Sequence, residues 1–191
     1  MFAILTPEMK HRMRALELRD QEERACGDSI NKRLRQIPPS TGKFLAFMAA
    51  CSPRGKVVEI GTSGGYSTLW ISLTGKKILT YEIDPHKARI AKETFKLAKV
   101  EDRITLIKGD ALKKLRLSGI SFCFLDAEKE IYTRCYDLLI PRMMRGGVLV
   151  ADNVLSHNMI LKPFVDHVLR DNRVDALVIS LDNGLLLCRK K

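Results

Sequence analysis

VVEIGTSGGYS, residues Val57 to Ser67, is the stretch from which the fold can be read. Val57, Val58 and Ile60 form a short β-branched apolar run, the pattern of a strand buried in a parallel sheet. Gly61, Gly64 and Gly65 then permit a sharp turn and a close backbone approach to a ligand. From Tyr66 to Leu73 the apolar spacing is helical. Strand, glycine turn and helix together open a nucleotide-binding, doubly wound α/β sheet. A strand-to-helix turn that binds nothing shares these features, so the surrounding chain must decide.

Downstream, the α/β alternation continues. Strands are expected at Lys77–Tyr81, Ile104–Ile107, Ile120–Leu125 and Val148–Ala151, the last after a Gly146-Gly147 turn. Helices are expected from Pro85 to about Ala98, from Ile131 to Met144, and over Asn158–Leu169. Ala176–Ser180 and Leu185–Cys188 read as two last strands, with Asp182-Asn183-Gly184 a strong hairpin signal between them. The sheet should therefore be mostly parallel, Rossmann-like and seven-stranded, closing on an antiparallel hairpin. Upstream, residues 7–35 read as one or two helices broken at Gly27, with Met9, Met13, Leu16 and Leu18 as an apolar face. Ile37-Pro38-Pro39 ends that region. Ser40 or Thr41 can cap a further helix from about Gly42 to Ala50, with Phe44, Leu45, Phe47 and Met48 facing the core. Residues 1–53 are thus a helical preface to a core at 54–191, within one expected domain.

The 191 residues are 46% apolar and 29% charged, values of a globular chain with a sizeable core. No apolar run is long enough for a bilayer, so no membrane partner is expected. The opening MFAILTPEMKHRMRALE lacks a basic start and a small-residue cleavage site, and no secretory leader is expected. Cys26, Cys51, Cys123, Cys135 and Cys188 are scattered without zinc-ligand spacing, which fits reduced thiols in the cytoplasm. The net charge is +11; residues 1–56 hold 11 Lys/Arg against 6 Asp/Glu, and residues 57–125 hold 12 against 7. That excess is either a basic solvated surface or a field for nucleic acid or an anionic substrate.

Acidic and amide residues fall where strands end. Glu59, Glu82, Asp110, Asp126, Asp152 and Asn153 lie at or just past carboxyl ends, the edge at which open α/β sheets bind ligands. Glu82, about twenty residues past the glycine loop, stands where a carboxylate accepts both ribose hydroxyls; as an alternative it serves the next helix's N-terminus, where Asp84 is the cap. Asp110 could meet an adenine amino group beside the Ala111 amide, or cap a helix. Asp126, Asp152 and Asn153 are hard oxygen donors from adjacent strand ends, a set suited to Mg²⁺ and poor for zinc. Lys129 lies one turn past Asp126. It reads locally as an ion pair with Glu128 or Glu130, although a lysine beside a divalent cation is disfavoured as an ammonium and can take a hydroxyl proton.

These stretches, with YEID at 81–84, GDA at 109–111, FLDAEKE at 124–130 and GGVLVADNVL at 146–155, resemble the motifs of class I S-adenosylmethionine-dependent O-methyltransferases. The match is to the divalent-metal-dependent branch, similar to catechol and caffeoyl-CoA O-methyltransferases. It covers about residues 35–191, including RQIPPSTGKFL before the sheet. The resemblance implies S-adenosyl-L-methionine as cofactor, with Glu59, Gly61, Thr62 and Ser67 at its methionine part. It likewise implies Glu82 at the ribose, Asp110 and Ala111 at the adenine, and Asp126 near the amino group. It implies Mg²⁺, or another divalent cation such as Ca²⁺ or Mn²⁺, on Asp126, Asp152 and Asn153, and Lys129 as the base. The chemistry implied is proton removal from a small-molecule hydroxyl acceptor, then attack of the oxyanion on the sulfonium methyl. Relatives are often homodimers, and some bacterial ones methylate a hydroxylated uridine in tRNA. Where the family often has an aromatic residue this chain has Ser156, in a loop that shapes the acceptor pocket. A non-catalytic cofactor-binding protein is a competing reading. A nicotinamide dehydrogenase would leave Asp126, Asp152 and Asn153 unexplained and lacks the G-x-G-x-x-G order.

Overall fold

The reversal of strand order at the centre of the sheet locates the functional edge. In a computed structural model that describes residues 4–27 and 33–191, seven strands pair in the order β3-β2-β1-β4-β5-β7-β6. They are β1 Lys56–Ile60, β2 Ile78–Glu82, β3 Ile104–Lys108, β4 Ile120–Leu125, β5 Met143–Ala151, β6 Val174–Ile179 and β7 Leu185–Lys190. The first five are mutually parallel, and β7 runs antiparallel to both β5 and β6. β1 pairs with β2 on one side and β4 on the other, so the chain winds away in opposite directions from that junction and leaves a crevice at the carboxyl ends.

Seven helices cover the sheet among the described residues: α1 Pro7–Ala25, α2 Pro39–Cys51, α3 Tyr66–Ser72, α4 Pro85–Leu97, α5 Ala111–Lys114, α6 Tyr132–Leu139 and α7 Asn158–Leu169. Strand alternation divides the core between two faces. Val57, Phe122, Phe124 and Val150 pack with Leu16, Leu45, Leu69, Trp70 and Phe95 under α1 to α4. Val58, Cys123, Leu125 and Leu149 pack with Tyr132, Tyr136, Phe164 and Val168 under α6 and α7. No helix among the described residues is long and apolar enough to cross a membrane. The five cysteines are free, Cys26 and Cys51 exposed and the other three buried.

Several boundaries differ from expectation. The helix expected to reach Met144 ends at Leu139, because Ile140–Arg142 tightens into a 3-10 turn around Pro141, which has no N–H to continue the helix. β5 starts at Met143, so Gly146-Gly147 is not a turn before the strand but lies inside it, at a shift in the β4–β5 register. α2 starts at Pro39, using proline's preset φ at the first helical position, rather than near Gly42. Phe47, expected in the core, is 54% exposed; Leu45, Ala46 and Ala49 form the buried stripe. On α1, Met9, Met13 and Leu16 are buried and Leu18 is exposed. Gly27 ends that segment with φ +69°; of the helix expected to run on to 35, residues 28–32 lie outside the described residues and 33–35 are not helical, Arg35 at φ +51° lying outside the right-handed helical region.

Candidate active site

The glycine loop needs its glycines for contact as much as for conformation. Gly61 has φ +100°, and a Cβ there would stand 2.0 Å from the Asp126 carbonyl oxygen. The β1 and β4 loops can therefore touch backbone to backbone only at a residue without a side chain. Just before it, Glu59 is fully buried and accepts hydrogen bonds from the hydroxyls of Ser67 at 2.6 Å, Thr80 at 2.6 Å and Thr68. The register places Thr80 directly across from Glu59, and the Thr62 hydroxyl bonds that of Thr80. Burial raises the Glu59 carboxyl to about 7 even though all three donors act to lower it. Glu59 thus ties the strand to the first turn of α3, and it fixes Ser67 and Thr62 against the crevice wall.

Glu82 works the same way at the end of β2. One carboxylate oxygen accepts the Ser63 amide at 2.6 Å and the other the Asp84 amide at 2.9 Å, which joins the glycine loop to the start of α4. Asp84 is the helix cap, taking the His86 and Lys87 amides. Asp110 caps α5 through the Leu112 amide, with Ala111 buried beside it.

Over this loop lies a strap, residues 34–37, that sequence reasoning missed. Its Leu34 amide donates to Glu23 at 2.7 Å, its Leu34 carbonyl accepts the Ser63 hydroxyl at 2.6 Å, and Gln36 donates to the Leu16 carbonyl at 2.8 Å. Arg35, in the left-handed region at φ +51°, ion-pairs with Glu128. Burial opposes the Arg35 charge, and the bond to Glu128 with the fields of Glu128, Asp126 and Glu82 outweighs it. Strap and loop enclose a cavity of about 20 Å³, room for a single water. The Gln36 Oε1 at its lining is a buried acceptor without a hydrogen-bond partner.

On the other side of the crevice, Asp126 and Asn153 meet at Lys129, and Asp152 stands beside Asn153. Lys129, with a side chain 9% exposed, donates from Nζ to Asn153 Oδ1 at 2.6 Å, Asp126 Oδ1 at 2.9 Å, Tyr132 Oη at 3.0 Å and the Ala127 carbonyl at 3.1 Å. Four acceptors thus surround three protons. Neither neighbouring glutamate takes this lysine. Asp152 is 2% exposed and accepts the Asn153 amide at 2.7 Å. Its carboxyl is raised to about 7, first by burial and then by the charge of Asp126. Asn153 presents its amide from a left-handed backbone, φ +66°, which asparagine tolerates. Tyr132 is fully buried, stays protonated through burial and the nearby carboxylates, and donates to the Asp152 carbonyl at 3.2 Å.

The donor set fits a hard divalent cation. A positive ion already sits between Asp126 and Asn153 oxygens in the form of the Lys129 ammonium, and the charge of Asp126 opposes the ionisation of Asp152. Among the described residues no three His, Cys, Asp or Glu side chains group to hold a metal, and the Asn153 amide oxygen would have to be the third ligand of an ion held here. The hairpin turn completes this wall. Asp182 Oδ2 accepts the Thr41 amide at 3.1 Å and the Thr41 hydroxyl at 2.7 Å, so Asp182 caps α2 in place of the expected Ser40 or Thr41. The Asn183 carbonyl accepts the Leu155 and Ser156 amides and holds the loop after Asn153.

A family model described as O-methyltransferase matches residues 16–191. The chain belongs to the O-methyltransferase family. It is 36% identical over 143 residues to a catechol O-methyltransferase of Mycobacterium tuberculosis, covering 72% of this chain and 65% of that protein. To the caffeoyl-CoA O-methyltransferase of Stellaria longipes it is 27% identical over 198 residues, covering 89% and 82%. The chain spans slightly less than two thirds of the first curated relatives it matches. In structure it is similar to an O-methyltransferase from Bacillus cereus solved in complex with SAH, with TM-score 0.78, 24% identity, and 92% and 90% of the two chains covered. An SAH-bound Podospora anserina methyltransferase superimposes with TM-score 0.80 at 22% identity over 98% and 89%. The O-methyltransferase fold is therefore shared across sequences that have diverged widely.

Proposed function

We propose that this O-methyltransferase family member uses S-adenosylmethionine and a divalent cation to methylate a hydroxyl of a catechol-like or phenolic small molecule. The observation behind this reading is the placement of one ammonium between Asp126 and Asn153 oxygens, beside buried Asp152 and next to the glycine loop. The site offers hard oxygens, an amine and a close-approach backbone within one crevice. S-adenosylmethionine would supply the electrophilic methyl group. A divalent cation on Asp126, Asp152 and Asn153 would supply the charge that favours an ionised acceptor oxygen.

The chain's own residues do the rest. Glu82 has one bond on each carboxylate oxygen and lone pairs left for ribose hydroxyls. The partnerless Gln36 oxygen can accept from a cofactor amine. Gly61 lets the backbone come close, and Glu59 keeps Ser67 and Thr62 in place. Asp110 and Ala111 close the end of β3 where the adenine would lie. A cation on the neighbouring oxygens would disfavour the Lys129 ammonium; once it has released a proton to solvent, the neutral Nζ takes the hydroxyl proton, and its oxygen contacts aim it. Most of the acceleration on this account is positioning in a preset field.

The test is a labelled-methyl transfer screen over catechols, simple phenols and total tRNA, with chelator and with added Mg²⁺. Transfer to vicinal diols that chelator stops and Mg²⁺ restores is expected. Transfer indifferent to chelator removes the metal assignment. Methylation of tRNA in preference to every small acceptor would replace the substrate class.

A further inference from the structure

Tyr132 is used by none of the roles above, yet its hydroxyl lies between two of the residues that have them. We infer that Tyr132 is a positioning residue, whose phenol holds the Lys129 amine against the acceptor side of the crevice. The inference rests on Lys129 being the base in the proposed reaction.

Four oxygens surround Lys129 Nζ. Two belong to Asp126 and Asn153, which are also the candidate cation ligands. The Tyr132 hydroxyl at 3.0 Å and the Ala127 carbonyl at 3.1 Å are not candidate ligands. These two keep the amine in place whatever the acids are bonded to. Of the pair, Tyr132 is the one built into the core. It is fully buried, and its ring stands edge-on to Phe164 with centroids 5.4 Å apart and planes at 89°. The Nζ also sits 5.0 Å from the centroid of its ring. The phenol proton is committed to the Asp152 carbonyl at 3.2 Å, which leaves an oxygen lone pair for Lys129. One hydroxyl therefore ties the amine to the main chain of the β5 end, the same segment that presents Asp152 and Asn153. A lysine has four rotatable bonds, so an aligned amine must be restrained by such partners.

Tyr132→Phe removes the oxygen and keeps the ring. The expected result is a fall in kcat of about ten- to hundredfold, with KM for cofactor and acceptor little changed. Phe164→Leu loosens the ring's seat and keeps the hydroxyl; it should lower the melting temperature and retain kcat. In protein labelled with ¹³C-lysine, the Lys129 Cε signal, assigned with Lys129→Arg, should relax as a rigid group in the natural chain and as a mobile one in Tyr132→Phe. Unchanged kcat in Tyr132→Phe, or Lys129 relaxation equal in both, overturns the inference. So does a kcat loss in Phe164→Leu as large as that in Tyr132→Phe, since the effect would then be packing alone. If the natural chain methylates nothing in the screen, the proposed function fails, and the relaxation comparison still decides whether Tyr132 holds Lys129.

Discussion

On the β1–β2 side of the crevice Glu59 and Glu82 have their oxygens occupied by the chain itself, whereas on the β4–β5 side Asp126 and Asp152 are left with much less. Three hydroxyls close around Glu59, and two backbone amides bond Glu82. Asp126 meets one lysine, and Asp152 accepts one amide from its own neighbour. The first pair is furnished as scaffold, with its geometry set by the chain itself. The second pair is short of positive charge, and a cation would relieve it. Burial raises both Glu59 and Asp152 to about 7, but for Asp152 the charge of Asp126 comes next in importance. Like-charge repulsion between neighbours, rather than burial alone, sets the β4–β5 side apart from the β1–β2 side.

The largest effect that could break this contrast is Asp152→Ala. Methyl transfer should vanish while affinity for the demethylated cofactor, measured by calorimetry, is retained. Turnover at the natural rate would remove the charge-poor side from the chemistry. Next in size, Glu82→Ala should weaken cofactor binding by about tenfold or more, since a hydrogen bond to a charged group contributes about 1.5–3 kcal/mol. Equal affinities would mean that Glu82 serves only the loop and α4.

The smallest effect concerns Glu59 and pH. In the folded chain this carboxyl keeps its proton to about 7, against 4.5 for the free group. The stability that goes with the buried neutral form is fully present below about 4.5 and is lost as pH rises to about 7. Asp152 acts in the same direction over a similar interval. Glu59→Gln should therefore flatten, without abolishing, the fall in urea midpoint between about pH 5 and pH 7.5, measured in chelator. An unchanged slope would show that Glu59 is ionised and held wholly by its hydroxyls.

Much of this was legible from local pattern. β4 and α7 fall on the expected residues because an uninterrupted apolar run and a helical stripe each report their own burial. The acids at strand ends were visible because the five parallel strands each place a carboxylate at or just past the same edge. What could not be read depends on partners far along the chain. Asp182 caps α2 from 141 residues away, and Thr80 reaches Glu59 only through sheet register. The strap at 34–37 has no periodicity, and its Leu34 is buried by α1 and the glycine loop rather than by its own element. The misplaced start of β5 has a local cause: Met143 and Met144 continue a helical stripe, and Pro141 ends the helix in a way the apolar pattern does not register.

The position of β7 sets an order on how the molecule can be assembled. β6 leaves the ribosome before β7, yet its one neighbour in the sheet is β7. Until Leu185–Lys190 arrive, β5 lacks one of its two partners and β6 its one partner, so both present unpaired backbone able to recruit a foreign strand. The sheet closes by insertion of this late segment rather than by growth outward. A translational stall or proteolytic nick just before Leu185 would therefore yield an adhesive intermediate instead of a smaller folded protein.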